Sequence, residues 1–101
     1  MAIVAVSVVP IGTGNTSVSS YVAGAEKVLR EDGRVKYQLG PMFTTIEGDL
    51  GDCLEVVRKM HESPFLAGAF RVSTLVKIDD RRDRNVSMER KVRSVEDKLG
   101  G

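Results

Sequence analysis

Residues 35–49 read VKYQLGPMFTTIEGD, and this stretch decides the fold. In residues 35–39 every second side chain is apolar, which is the period-two pattern of a half-buried strand. Residues 42–47 predict a second strand, and Gly40-Pro41 between the two favours a turn. The stretch therefore predicts a β-hairpin, and Asp49 at its end is expected to begin a helix.

A strand and a helix are predicted before the hairpin. Residues 2–9 are rich in β-branched side chains and predict a strand. Apolar residues recur at one-face helical spacing over residues 18–29, which predicts a helix. Ser17 or Thr16 is expected to cap its start, and Gly33 is expected to follow its end in the left-handed conformation.

Two helices and one strand are predicted after the hairpin. The second helix begins at Asp49, with Asp52 in a box-like cap, and ends at Ser63-Pro64. Its expected buried stripe is Leu50, Cys53, Leu54, Val57 and Met60. Residues 70–78 alternate as a long strand, and Ser87 is expected to cap a third helix. The apolar stripe of the third helix is narrow and consists of Met88, Val92, Val95 and Leu99.

The order β-α-β-β-α-β with an added C-terminal helix is that of the ferredoxin-like fold. Right-handed crossovers place the two main helices on one face of a four-stranded antiparallel sheet. The fold class is therefore α+β, a sandwich of one sheet and one helical layer. The chain has 101 residues, which leaves no room for a second core, so residues 1–101 are expected to form a single domain.

Composition excludes several classes of function. The formal charge is +1, so the chain lacks the basic footprint of a nucleic-acid-binding protein. No apolar run approaches the ~20 residues that span a membrane, and no membrane partner is expected. The single cysteine, Cys53, falls on an apolar helical stripe and is expected to be a buried structural thiol. These features predict a cytoplasmic protein.

The sheet face opposite the two helices is expected to be covered by a partner subunit. The first strand is apolar on both faces, and the third has Phe43 on one side and Met42 and Ile46 on the other. Strands that are apolar on both faces are usually covered on both. Self-association is therefore expected. The alternative is a monomer in which the third helix folds over the sheet. The charged stretch 79–84 and Asn85 separate this helix from the last strand.

Two segments are candidates for ligand contact. The loop Gly12–Ser17 joins a strand to a helix like a dinucleotide fingerprint, but Ser17 replaces the third glycine and the expected acidic residue is missing. Anion binding or a plain turn remains open there. In the hairpin, alternation places Thr45 and Glu47 on one side of the sheet and Thr44 on the other. Glu47 either meets a cation or hydrogen-bond donors when buried, or lies in water at the strand end.

Catalytic and metal-binding patterns are weak. The only histidine, His61, is expected to face solvent at a helix end, without a nucleophile beside it. Neither Cys–His spacing nor an acidic calcium loop is present, so no metal is expected. Arg81–Arg84 is basic but interrupted by an acid, which favours a solvated connection over a phosphate patch. We therefore expect a protein that is not an enzyme.

Three segments carry a family resemblance: residues 9–14 (VPIGTG), residues 17–22 (SVSSYV) and residues 44–48 (TTIEG). They resemble the thiamine-binding-protein family, and the resemblance covers essentially the whole chain. It implies a ferredoxin-like fold, dimers that pair into tetramers, and non-enzymatic binding of thiamine or its pyrimidine part. No other cofactor is implied.

The resemblance also implies a set of ligand-binding residues, here Gly12, Ser17, Ser20, Gln38, Thr44, Thr45 and Glu47. Glu47 is expected to balance the thiazolium cation or to accept the pyrimidine amino group, while Gln38 and the threonines complete the hydrogen bonds. The strand that carries Glu47 is expected to lie close to the Gly12–Ser17 loop and to Ser20.

Three other functions share the element order. Acylphosphatases carry an arginine in the loop after the first strand, and Pro10–Ser17 has none. RNA-recognition domains need aromatic side chains on central strands, and the third strand offers only Phe43. A protein–protein adaptor or regulatory subunit needs no pocket, and this alternative stays open.

Overall fold

The described part of the chain forms one sheet and three helices. The computed structural model describes residues 1–83 and 87–100. The strands are β1 (Ala2–Pro10), β2 (Lys36–Leu39), β3 (Thr44–Gly48) and β4 (Val72–Asp80), and the helices are α1 (Ser19–Glu31), α2 (Leu50–Leu66) and α3 (Met88–Lys98). The sheet is antiparallel with strand order β2-β3-β1-β4. The predicted ferredoxin-like α+β fold and its hairpin are confirmed.

Register divides the side chains of the sheet between two faces. On one face, which packs against α1 and α2, Val4 pairs with Ile46 and with Ile78. On the opposite face, called here the open face, Ile3 pairs with Glu47 and with Asp79. Because side chains alternate along a strand, Thr44 lies on the helix face, and Thr45 and Glu47 lie on the open face, as predicted.

The hydrophobic core lies between the sheet and the first two helices. Its largest fully buried side chains include Leu29, Ile46, Val4, Val6 and Val56. Cys53 is buried there as expected, and burial raises the pKa of its thiol, which disfavours the reactive thiolate.

The third helix lies on the open face and outside this core. Ser87 caps it as predicted, because its hydroxyl accepts from the Arg90 N–H at 3.2 Å. Met88 is its only buried residue. Two ion pairs tie its first turn to the sheet, Lys36–Glu89 to β2 and Lys91–Asp79 to β4. The third helix therefore covers part of the open face and contributes no residue to the core.

Both predicted ends of α1 are wrong. The N-cap residue is Val18, which has no capping side chain. The Ser17 N–H donates to Asn15 Oδ1, and this bond fixes the turn before the helix. At the other end the chain leaves the helix at Asp32 in an extended conformation, so Gly33 is not left-handed. The Asp32 carboxylate accepts from the backbone N–H and guanidinium of Arg34, which fixes this turn instead.

The second helix departs from its prediction in two places. Asp49 caps it by accepting the Gly51 N–H, but the helix runs through Pro64 to Leu66. Pro64 lies in the last turns and is fully buried, so packing outweighs its one missing donor. The buried stripe includes Val56, and Leu54 is exposed.

The edge of the sheet is more exposed than its sequence suggests. All four residues of β2 are exposed, and only Val35 before it is buried. Phe70, predicted within the last strand, precedes it and is 98% exposed. In the connection after β4, Arg81 pairs with Asp83 and Arg82 with Asp80, which confirms a locally paired, solvated segment as far as Asp83. Arg84 and Asn85 lie outside the described residues.

None of the described helices combines the length and the apolar composition that crossing a membrane requires.

Candidate functional site

Three of the candidate residues form a strip on the open face. Gln38 pairs with Thr45 across β2 and β3, and Lys36 pairs with Glu47 one step further along. Cross-strand partners have Cβ atoms about 5 Å apart, so the amide, the hydroxyl and the carboxylate are neighbours. The prediction that Thr45 and Glu47 share one side of the sheet is confirmed, and Gln38 lies beside Thr45 on that side.

Glu47 is the most deeply buried charged residue in the described chain. Only 3% of it is exposed, and its Oε2 has no hydrogen-bond partner there. The cross-strand cation Lys36 extends to Glu89 of α3 instead, at 3.4 Å. The alternative that Glu47 lies in water at the strand end is therefore wrong. A buried carboxylate with an unsatisfied oxygen is costly, and this makes Glu47 a candidate for a missing contact.

A cleft opens on the other face, beside the start of α1 and the tip of the β2–β3 hairpin. Its volume is about 200 Å³. The walls are mainly apolar and include Val8, Val18, Val22, Pro41, Met42 and Phe43. Two polar side chains meet inside it: the Thr44 hydroxyl donates a hydrogen bond to the carboxylate of Glu26. An apolar pocket with a few convergent polar groups is the usual form of a small-molecule site.

Sequence reasoning missed Glu26. Its position carries a signal, because it lies four residues after Val22 and beside Ala25, on the apolar side of α1. A carboxylate on that side must meet a partner or a ligand. In the structure Glu26 is half-buried and Thr44 is buried, so the pair lies at the boundary between the core and the cleft.

The Gly12–Ser17 loop lies at the cleft end of the molecule without lining the cleft. Gly12 and Gly14 adopt positive φ values of 78° and 77°, which glycine permits without strain. Ser17 and Ser20 are exposed, and the Ser17 hydroxyl lies 3.3 Å from that of Ser19. Of this region only Val18 reaches the cleft wall.

Glu47 and the Gly12–Ser17 loop were predicted to lie close together, and within one chain they do not. Glu47 pairs with Ile3, whereas the loop begins after Pro10. Seven residues of extended strand separate those positions, or about 23 Å. The candidate residues therefore fall into two groups: Thr44 near the loop and α1, and Gln38, Thr45 and Glu47 on the open face.

The one histidine, His61, is held by structural contacts and has no catalytic partner among them. His61 is half-buried rather than solvent-facing, with Nδ1 2.7 Å from Thr74 Oγ1 and its ring edge-on to Phe65. These contacts hold the imidazole against β4. Within residues 1–83 and 87–100 no group of three or more His, Cys, Asp or Glu side chains is arranged to hold a metal ion.

The shifted carboxylate pKa values belong to side chains that pair with arginine or lysine outside the cleft. Hydrogen bonds from Arg34 hold the pKa of Asp32 well below its usual range, and Arg58 and Lys91 lower the pKa of Glu55 and Asp79 in the same way. None of these groups lies in the cleft, so they support local turns and helix contacts rather than acid–base chemistry there.

Comparison with known proteins gives a family and a fold. A family model described as thiamine-binding protein matches residues 4–96. The UPF0045 protein YqgV of Bacillus subtilis is 49% identical over 98 residues, which cover 94% of this chain and 94% of that protein.

Two solved structures share the fold. The crystal structure of the hypothetical protein MJ1052 from Methanocaldococcus jannaschii superposes with a TM-score of 0.82 and 36% identity, covering 94% of this chain and 96% of that one. A domain of unknown function, DUF77, from Bacillus cereus gives a TM-score of 0.83 and 35% identity, with 96% and 91% of the two chains covered.

Proposed function

The chain belongs to the thiamine-binding protein family, and from that premise we propose that it binds thiamine or a related pyrimidine or thiazole compound without catalysing a reaction. The ligand occupies the cleft between α1 and the hairpin, and the chain acts as a homo-oligomer. The family is named for binding, which agrees with a cleft that offers hydrogen bonds and apolar contact to a small molecule.

The Glu26–Thr44 pair is the observation that carries this proposal. An aminopyrimidine presents an amino donor and a ring-nitrogen acceptor along one edge. A carboxylate accepts from the amino group and a hydroxyl donates to the ring nitrogen, so this pair matches that edge. Without ligand the two groups satisfy each other, which explains why a carboxylate is tolerated beside the core.

The cleft walls suit the rest of such a ligand. Val8, Val22 and Phe43 offer apolar surface to a flat heteroaromatic ring and its methyl substituents. The charge of Glu26 also favours a permanent cation held nearby, because the surrounding apolar side chains weaken solvent screening.

Self-association is supported by the apolar surface that one chain leaves uncovered. The open face exposes 61% of Leu75 and 41% of Val9, and α3 exposes Val92 and Leu99. The outer edge of β4 has no paired strand among the described residues and is nine residues long. A dimer, or a dimer of dimers, would cover these surfaces and the unpaired edge.

Titration calorimetry with thiamine and with a neutral aminopyrimidine fragment tests the proposal. In Glu26→Gln the charge is lost and the shape is kept, so thiamine affinity should fall by about ten- to a hundredfold. Glu31→Gln is the matched control, since Glu31 is exposed on the same helix and does not line the cleft. Equal affinity of Glu26→Gln and the parent would contradict the site.

Glu47→Gln in the same titration decides between the two faces of the sheet. If the open face holds the cation, Glu47→Gln weakens thiamine more than the neutral fragment, and Glu26→Gln changes little. We expect the reverse, because the cleft is lined by Glu26 and not by Glu47.

A protein–protein adaptor is the alternative function. Leu66 and Phe70 favour it, because 88% and 98% of these apolar side chains are exposed near the end of α2. The adaptor becomes the better interpretation if the parent protein binds neither compound.

A further inference from the structure

A second cavity, of about 300 Å³, lies between α3 and the open face near the start of β1. Ile3 lines it from the sheet, Asp79 and Arg81 from β4 and the connection after it, and Arg90, Lys91 and Ser94 from α3. The cleft lies on the opposite face, and the Val8 position is about 17 Å along β1 from Ile3. The two cavities are therefore separate.

The charged side chains of this cavity are predominantly basic. Three cations and one carboxylate give its lining a net charge of +2, compared with +1 for the whole chain. Lys91 bonds Asp79 and neutralises the one acid. The other two basic side chains of the lining are Arg81, which pairs with Asp83 outside the lining, and Arg90.

Both arginines are available to an incoming anion. Arg81 pairs with Asp83 at 2.6 Å, but 48% and 64% of the two side chains are exposed. The pair is bidentate but screened by solvent, so a phosphate group of higher charge can compete for the same guanidinium N–H groups. The Arg90 side chain forms no ion pair with any residue in the described ranges.

We propose that this cavity binds a phosphate-type oxyanion, as a phosphate monoester or pyrophosphate group of a small molecule. Each guanidinium can donate two parallel hydrogen bonds to such a group, and the Ser94 hydroxyl can donate a third. Ile3 and Val95 give the cavity an apolar side that the organic part of the molecule contacts. This oxyanion would be a second class of ligand, in addition to the compound proposed for the cleft between α1 and the hairpin.

Calorimetric titration with inorganic pyrophosphate and with inorganic phosphate, at low ionic strength, tests the cavity without any organic ligand. Arg90→Gln should weaken pyrophosphate binding by about ten- to a hundredfold. Arg93→Gln is the matched control, because Arg93 is exposed on the same helix, carries the same charge and does not line the cavity. The affinity of Arg93→Gln for pyrophosphate should stay within twofold of that of the parent.

A second variant tests the space rather than the charge. Ser94→Phe places a large side chain at the cavity wall, removes the third donor and leaves every charge in place, so pyrophosphate binding should be lost while the far-ultraviolet circular dichroism spectrum is unchanged. Thiamine binding should be unaffected in both variants. Failure of the parent to bind pyrophosphate at millimolar concentration overturns the proposal, and so does an equal loss in Arg93→Gln, which would show attraction by the whole helix.

Discussion

The hydroxyl of Thr44 is the group whose removal best separates ligand binding from folding. Thr44→Val keeps a branched side chain at a buried position of β3 and removes the donor to Glu26. Because Glu26 is half-buried, water can replace the lost donor. We therefore expect the free energy of unfolding to fall by about 1 kcal/mol or less, the low end for a single hydrogen bond.

The same change should weaken the ligand more strongly. With valine at this position, the ring nitrogen of a bound aminopyrimidine loses its donor in an apolar cleft. An unsatisfied buried acceptor costs about 1–3 kcal/mol, which corresponds to about five- to a hundredfold in the dissociation constant for thiamine. Urea unfolding followed by circular dichroism measures the first effect, and calorimetry measures the second.

Thr74→Val is the control for this experiment. Thr74 lies on the same face of the sheet, on β4, and its hydroxyl contacts His61 rather than the cleft. Its removal should leave thiamine affinity unchanged. If Thr44→Val binds thiamine as the parent does, or if both variants lose affinity equally, then Thr44 does not contact the ligand.

The remaining predictions concern assembly, α3 and acid stability. Light scattering at micromolar concentration should give at least a dimer mass, and Leu75→Glu, which places a charge on the exposed open face, should lower it; a parent mass of one chain would contradict self-association. Deletion of residues 86–101 should leave the remaining domain folded by circular dichroism, since the core contains no α3 residue, whereas complete unfolding would show that α3 is essential. Asp32 has a pKa below its ordinary value of 3.8, so the stability it contributes is present above about pH 4 and is lost as the pH falls. Asp32→Asn should therefore flatten the decline of the urea midpoint below about pH 4. An unchanged slope would contradict the role of the Asp32–Arg34 pair.

The strands and the hairpin were predictable because their patterns are local. Alternation within residues 35–49 fixed which side chains share a face, and it assigned Thr45 and Glu47 to the opposite side from Thr44. The Ser87 cap was equally local, since it depends on one hydroxyl and a backbone N–H three residues on. In these segments the local preference and the tertiary packing agree.

The errors arose where packing between distant segments decides the outcome. Pro64 was expected to end α2, but its burial against the core keeps it within the helix. Likewise the sequence pattern predicts that Ile46 lies on a face covered by a partner subunit, yet it is fully buried against the helices. Leu75 is therefore the better position for an assembly test.

The site was only partly predictable for the same reason. Thr44 was identified from its motif, but its partner Glu26 is eighteen residues away in the sequence and belongs to another element. The register of β1 against β3, which no single motif specifies, separates Glu47 from the Gly12–Ser17 loop. Pairing between strands thus determined which candidate residues could share a ligand.

A crystal structure of the protein grown with thiamine tests the central claim most directly. We predict density for the aminopyrimidine in the cleft, with its amino group within hydrogen-bond distance of a Glu26 carboxylate oxygen and a ring nitrogen within the same distance of Thr44 Oγ1. Thiamine bound on the open face against Glu47, with the Glu26–Thr44 hydrogen bond intact and the cleft free of ligand density, would contradict the account.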